Sequence, residues 1–321
     1  MKLEDIKKCA CIGCGTIGTS WALNFAWRGY PVNVFDANLS IYPESQEKMS
    51  KLLDNLIENK IITAEEKKEI QARVNYVDTL KEAVSGVQWI QENGPETYDT
   101  KMPVLQQIDE VADPEAVISS STSGLVLTEL AKAVKHPERL VGGHPYNPPH
   151  LMPLVEISKG EKTDEAYVQL AYDFWKSIKK EPVILKKDVS GFICNRLQVA
   201  LYRELVDLIY NGVCTLEDCD KAVVYGLGLR WAIMGPNMVF HIAAGNAGLQ
   251  TLLERQIESF DVRLGEMADW KHFPPEMCAD FHEMIQEEIA NRTDKEGHTI
   301  DEITRYRDTI LIPLLQAQDK I

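Results

Sequence analysis

Cys9-Ala-Cys-Ile12, followed at once by Gly13-Cys14-Gly15-Thr16-Ile17-Gly18 and, after one helical stretch, by Val32-Asn-Val-Phe35-Asp36, is the segment that decides the fold. The first four residues are apolar and short, as a buried strand requires. The next six carry glycine in the pattern G-x-G-x-x-G, and the stretch from Thr19 to Gly29 reads as a helix. Each glycine has its own physical reason: Gly13 for a tight turn, Gly15 for close approach of the backbone to a pyrophosphate, Gly18 for packing a helix against a sheet. The free N–H groups at the helix start, where Thr16 and Ile17 lie, would hold the phosphate. Asp36 stands 18 residues after Gly18, where a carboxylate accepts hydrogen bonds from ribose hydroxyls and repels a 2′-phosphate. A glycine-rich turn alone would say little. The order strand, glycine loop, helix, strand, acid points to dinucleotide binding, with NAD as the cofactor.

Working outward, the alternation continues. Ser40 to Lys60 reads as a helix, and Thr63-Ala-Glu-Glu66 is a capping box opening another that runs to Arg73. Short strands are expected near Val74–Val77, Val87–Gln91 and Val117–Ser119, with helices near Thr100–Val111 and Thr128–Val134. The fold class is therefore α/β: a Rossmann-type, doubly wound, mostly parallel sheet, with a helical pair inserted after the second strand. A helix over Asp164–Lys180 and a strand over Pro182–Leu185 follow. Past Asp188, Ile193, Leu197, Leu201, Leu205, Leu208 and Ile209 recur at helical spacing up to Gly212, and helical patterns persist to the C-terminus. The expected domains are 1–188, binding NAD, and 189–321, an all-helical domain for substrate and dimerisation. A homodimer is expected.

The formal charge of −15 argues against nucleic acid, whose phosphates call for clustered cations. No window offers the roughly 18 apolar residues of a membrane helix. The opening Met1-Lys-Leu-Glu-Asp-Ile-Lys-Lys is charged where an export signal is apolar. The reading is a cytoplasmic protein without membrane attachment, with its seven cysteines reduced. Cys11-x-x-Cys14 would be a metal or redox motif in another setting; here one cysteine lies in a strand and the other in the glycine loop. Cys214 and Cys219 are separated by four residues, with no second pair at a zinc-like spacing. No metal is expected.

Four polar residues sit where chemistry would need them: Ser123 after a strand, His144 at the end of another, Glu156 twelve residues later, and Asn195 opening the long helix. Taken singly, Asn195 could cap its helix, Glu156 could face solvent, and His144 could be a packed loop residue. His144 and His150 lack further ligands for a metal, and Thr122-Ser123-Gly124 is not a hydrolase nucleophile elbow.

Taken together, Gly13-Cys-Gly-Thr-Ile-Gly18, Ser121-Thr-Ser123, His144-Pro-Tyr-Asn147-Pro, Leu154-Val-Glu156 and Gly191-Phe-Ile-Cys-Asn195-Arg resemble the 3-hydroxyacyl-CoA dehydrogenase superfamily over essentially the whole chain. The resemblance implies His144 as general base, Glu156 holding its ring, and Ser123 and Asn195 at the substrate oxygen. It implies contacts from Glu96, Lys101 and Asn147 to the nicotinamide half of the cofactor. The segment Leu229-Arg230-Trp231-Ala-Ile-Met-Gly235-Pro236 departs from the acyl-CoA members and resembles the branch acting on free 3-hydroxy acids, the carnitine, gulonate and crystallin-like members, with the carnitine type nearest. A guanidinium at Arg230 would grip a free carboxylate with two parallel hydrogen bonds. Trp231 and Phe240, with Trp270, would face a trimethylammonium group. Lys48 and Lys51 are candidates for a CoA phosphate, read here as solvated.

Overall fold

The computed structural model describes residues 1–321. Two compact units form, one of residues 1–196 together with 307–321, the other of residues 197–306. By its packing the chain divides after Arg196, inside a helix and a little beyond the expected break at Asp188, and the C-terminal segment belongs to the first unit. There Asp308 is buried and accepts a hydrogen bond from Asn55, while Ile312 and Leu315 join the core. Helical periodicity marks those apolar positions but says nothing about which core they enter.

In the first unit, β1 (Cys9–Ile12), α1 (Thr16–Trp27), β2 (Val32–Phe35), α2 (Tyr42–Glu58), α3 (Ala64–Ala72), β3 (Val74–Tyr76), α4 (Leu80–Val84), β4 (Trp89–Glu92), α5 (Tyr98–Val111), β5 (Val117–Ser120), α6 (Leu127–Leu130) and β6 (Leu140–Gly142) follow in order. The six strands form one parallel sheet in the order β3-β2-β1-β4-β5-β6. This is the doubly wound arrangement, whose ligand crevice lies where the order reverses, between β1 and β4. The strands β1, β4 and β5 are buried throughout, although β4 and β5 end in polar residues, Gln91-Glu92 and Ser119-Ser120. The helix after β1 starts three residues earlier than the sequence suggests, so the last glycine lies inside its first turn.

A second, three-stranded sheet follows: β7 (His144–Pro145), β8 (Leu154–Ile157) and β9 (Glu181–Ile184), with α7 (Glu165–Ser177) between the last two. Between the helices and the large sheet lies an aromatic cluster in which Trp89 stacks on Phe174 at 4.0 Å and Trp21 meets Trp175 at 4.7 Å. All four rings are fully buried.

The unit 197–306 is helical. It holds most of α8 (Cys194–Tyr210), then α9 (Leu216–Lys221), a π-helical stretch (Ala222–Gly228), α10 (Leu229–Trp231), α11 (Pro236–Ala243), α12 (Gly248–Glu266), α13 (Met277–Asn291) and the start of α14 (Ile300–Ala317). No helix of the chain is long and apolar enough to cross a membrane.

Candidate active site

The glycine loop has the geometry that its sequence demands. Gly13 sits at φ +90°, and a Cβ on Gly18 would lie 1.8 Å from the Gly13 carbonyl oxygen. A Cβ on Gly15 would meet nothing within 4 Å, so the space beside the loop is open where a pyrophosphate must approach. Thr16 and Ile17 form the first turn of α1, with Thr16 exposed. The Asp36 carboxylate at the end of β2 accepts from the Cys14 N–H at 2.9 Å and from the Asn38 N–H at 2.9 Å, which braces it against the loop. These residues fit an NAD molecule: backbone donors at a helix start, a clear approach, and an acid at the ribose end.

Lys48, read from the sequence as a solvated candidate for a CoA phosphate, has a partner at the glycine loop. From α2 its ammonium donates to Thr16 Oγ1 at 3.1 Å, placing a cation at the start of α1. Its neighbour Lys51 pairs with Glu47 at 2.8 Å. Only tertiary packing of α2 distinguishes the two. Burial pushes the thiols of Cys11 and Cys14 up, the latter to about 12, which keeps both protonated near neutrality.

Glu96 and Lys101 act on the protein itself. Lys101 is buried, and its three ammonium protons go to both Glu92 carboxylate oxygens at 3.0 Å and to the Gly94 carbonyl at 2.9 Å. Lys101 thereby fastens the loop after β4, the loop from which the family resemblance implies a contact to the nicotinamide half. Glu96 accepts from Thr122 Oγ1 and the Ser123 N–H at 2.7 Å and from the Gly124 N–H at 3.1 Å, clamping the turn after β5. Asn147 is exposed and precedes a cis bond to Pro148. The loop carrying it is tied down by Lys180, whose ammonium donates to the carbonyls of Pro149 and Met152. His150 completes the tie through Ser20 Oγ, 2.9 Å from its Nδ1. His150 thus has no metal-pair relation to His144. Burial, then the Lys180 and Arg307 charges, bring its pKa down to about 3.

The four residues singled out for chemistry converge. Antiparallel pairing of β7 with β8 sets His144 opposite Glu156, and Nδ1 of the imidazole lies 2.8 Å from Glu156 Oε2. The other carboxylate oxygen accepts from the backbone N–H groups of Ile193 and Cys194, at 2.9 and 3.0 Å, where α8 begins. Burial by itself would raise the Glu156 pKa. The hydrogen bonds from His144, Cys194 and Ile193 and the His144 charge outweigh it and hold the carboxyl below its usual value. An ionised Glu156 fixes the Nδ1–H tautomer, so Nε2 is the basic nitrogen, and that atom has no protein partner. Tyr146 and Phe192 meet the ring edge-on at 5.4 and 5.6 Å. Asn195 donates from Nδ2 to the Ser123 carbonyl at 2.6 Å and accepts from the Tyr146 hydroxyl at 3.2 Å, while the Ser123 hydroxyl itself has no protein partner. The turn after β5, the His144 strand and the start of α8 are therefore joined by named bonds.

In the helical unit, Arg230 is exposed. Its Nε donates to the Gly226 carbonyl at 3.3 Å, its terminal nitrogens carry no protein partner, and it lines a pocket of about 410 Å³ with Ile233, Met234, Val239, Ile242 and Ala243. The expected aromatic wall is not assembled there: Phe240 pairs with Phe260 at 6.0 Å and Trp270 with Phe273 at 5.0 Å, and Trp231 has no ring partner. The expectation rested on residue type and resemblance, neither of which fixes the faces these rings occupy.

Residues 8–189 match the NAD-binding domain of 3-hydroxyacyl-CoA dehydrogenase, and residues 191–294 match its C-terminal domain. The chain belongs to the 3-hydroxyacyl-CoA dehydrogenase family. Among family relatives, L-carnitine dehydrogenase of Oceanobacillus iheyensis is 36% identical over 97% of this chain and 97% of its own length. L-carnitine dehydrogenase of Mesorhizobium japonicum is 35% identical over 99% of this chain and 85% of its own. Among solved structures, an NAD-dependent 5-formyl-3-hydroxy-2-methylpyridine 4-carboxylic acid 5-dehydrogenase superposes with a TM-score of 0.78, at 29% identity and covering 98% of this chain and 97% of that one. The protein is an NAD-dependent oxidoreductase of the 3-hydroxy acid and 3-hydroxyacyl dehydrogenase type.

Proposed function

We propose that this protein is an L-carnitine dehydrogenase, converting a free L-3-hydroxy acid that bears a trimethylammonium group into its 3-oxo acid. The observation that carries the reaction is the His144–Glu156 pair: Nδ1 is engaged at 2.8 Å and Nε2 is left without a protein partner. Nε2 takes the proton of the substrate hydroxyl, and Glu156 stabilises the imidazolium that results. Ser123 Oγ and the Asn195 amide bind the substrate oxygen as its charge changes. NAD, when bound, accepts the hydride from the carbinol carbon. Gly13, Gly15, Thr16, Ile17 and Gly18 hold its pyrophosphate with help from Lys48. Asp36 takes the adenosine ribose, and Asn147 lies toward the nicotinamide end.

Arg230 supports a free carboxylate as the recognised group, since its two terminal nitrogens form an unpaired fork beside an apolar pocket. Trp231, with no ring partner, is the aromatic face proposed for the ammonium end. The full-length likeness to carnitine dehydrogenases supports this choice of acid. We also propose a homodimer working in the cytoplasm. Its helical unit leaves Ile233 at 70% and Leu229 at 59% exposed, apolar surface that a second copy would cover.

The test is NADH formation with L-carnitine, L-gulonate, free L-3-hydroxybutyrate and its CoA thioester in parallel. Fastest turnover of L-carnitine is the expected result. Preference for the thioester overturns the free-acid reading, and NAD binding without turnover of any of the four overturns catalysis.

A further inference from the structure

Two cysteines remote in role from the dinucleotide site stand in sulfur contact. Gly212, at φ +67°, reverses the chain after α8, and Thr215 caps α9 by accepting from the Asp218 N–H. Cys214 lies in the turn and Cys219 one helical turn into α9, where its N–H donates to the Thr215 carbonyl. This folds the two side chains onto each other, with Sγ to Sγ at 3.2 Å. A disulfide of about 2.05 Å needs an approach of about 1 Å between the two sulfurs.

The two sulfurs differ in access. Cys219 is 4% exposed and forms part of the wall of a cavity of about 420 Å³ that also takes in Asp220, Cys278 and His282. Cys214 is half-buried and borders a second cavity of about 360 Å³, together with Glu217, Glu287 and Glu288. Burial, then the neighbouring Cys214 sulfur, pushes the Cys219 thiol up. Access makes Cys214, the less buried of the two, the entry point. The carboxylates around Cys214 favour a cationic reagent over an anionic one, since Lys221 is already paired with Glu217 at 2.6 Å.

We propose that Cys214 and Cys219 form a thiol–disulfide exchange site that accepts small neutral or cationic disulfides and closes to an intrachain disulfide. The Cys214 thiolate attacks one sulfur of the reagent, the reagent's S–S bond breaks, and one thiol leaves with a proton. Cys219, losing its proton, then attacks Cys214 Sγ and expels the second thiol. Two protein thiols are oxidised, and one disulfide is reduced to two thiols. The bond would tie the start of α9 to the turn before it, at the root of the helical run 216–231 that carries Arg230.

Cystamine is the probe, applied to the full-length protein with NAD in a Cys278→Ser background that removes the exposed thiol. Peptide mapping is expected to show Cys214 joined to Cys219, with the loss of two hydrogens and no retained cysteamine. Closure should run about tenfold faster with cystamine than with anionic oxidised glutathione. Adding Cys219→Ser should trap one cysteamine on Cys214. Both thiols remaining free, linkage to any other cysteine, or no adduct on Cys214 in the Cys219→Ser variant each overturns the proposal.

Discussion

The unit that carries the glycine loop and the helical unit bury their apolar residues very differently. The first packs Trp21, Trp89, Phe174 and Trp175 into a sealed aromatic cluster, and three of its strands are buried along their whole length. In the second, α12 and α13 bury no residue completely, and Ile233, Leu264 and Val262 remain 70, 65 and 63% exposed. A sealed core fixes side chains to fractions of an ångström, as a proton-transfer pair such as His144–Glu156 needs. An open helical face leaves apolar surface exposed, which is where substrate and a second copy of the chain are proposed to bind. Chemistry is thus proposed in the unit whose packing is complete, and recognition in the unit whose packing is not.

The largest effect that could break this division is at His144. His144→Ala should lower kcat by about 10³–10⁴-fold while leaving NAD affinity, measured by fluorescence titration, unchanged. A variant retaining most of its turnover would remove the base from the first unit altogether. Next in size is Arg230→Ala, expected to lower kcat/KM for L-carnitine by about 100-fold, the worth of a charged bidentate contact. NAD affinity should stay constant, and equal turnover in the variant would show that the helical unit contributes no carboxylate anchor.

Ile233→Asp should loosen the proposed homodimer by tens of fold, roughly 2–3 kcal/mol from one lost apolar contact. Sedimentation equilibrium reads this directly, and an unchanged association constant would mean that the exposed face serves something else. The smallest effect belongs to the sealed unit. His150 has a pKa lowered from 6.5 to about 3, so the unfolded chain binds the proton first as pH falls. Stability is therefore full above about 6.5 and declines below it, by about 1.4 kcal/mol per pH unit. Tm measured from pH 7.5 to 5 should fall less steeply in His150→Gln than in the parent; identical slopes would show that this histidine is not held neutral.

Much of the site was readable because its residues answer local demands. Gly13 and Gly18 obey a backbone and a clash that any dinucleotide loop shares, and Asp36 ends a strand at a fixed distance from them. Lys101 shows the opposite case. The family resemblance implied a cofactor contact there, and only the structure shows its three protons going to Glu92 and the Gly94 carbonyl. Lys48 and Lys51 lie on one helix, yet one reaches Thr16 and the other its neighbour Glu47.

By itself the sequence determined the order of strands and helices in the first unit, the dinucleotide loop and the identity of the groups able to move a proton, because these follow from periodicity, glycine sterics and side-chain chemistry. Tertiary structure alone decided the strand register that sets Nδ1 of His144 against Glu156, that Glu96 and Lys101 brace loops, that residues 307–321 return to the first core, and that Phe240 turns to Phe260. The physical reason is distance along the chain. Local sequence sets which conformations are cheap, whereas pairing between residues far apart is set by which surfaces packing brings together.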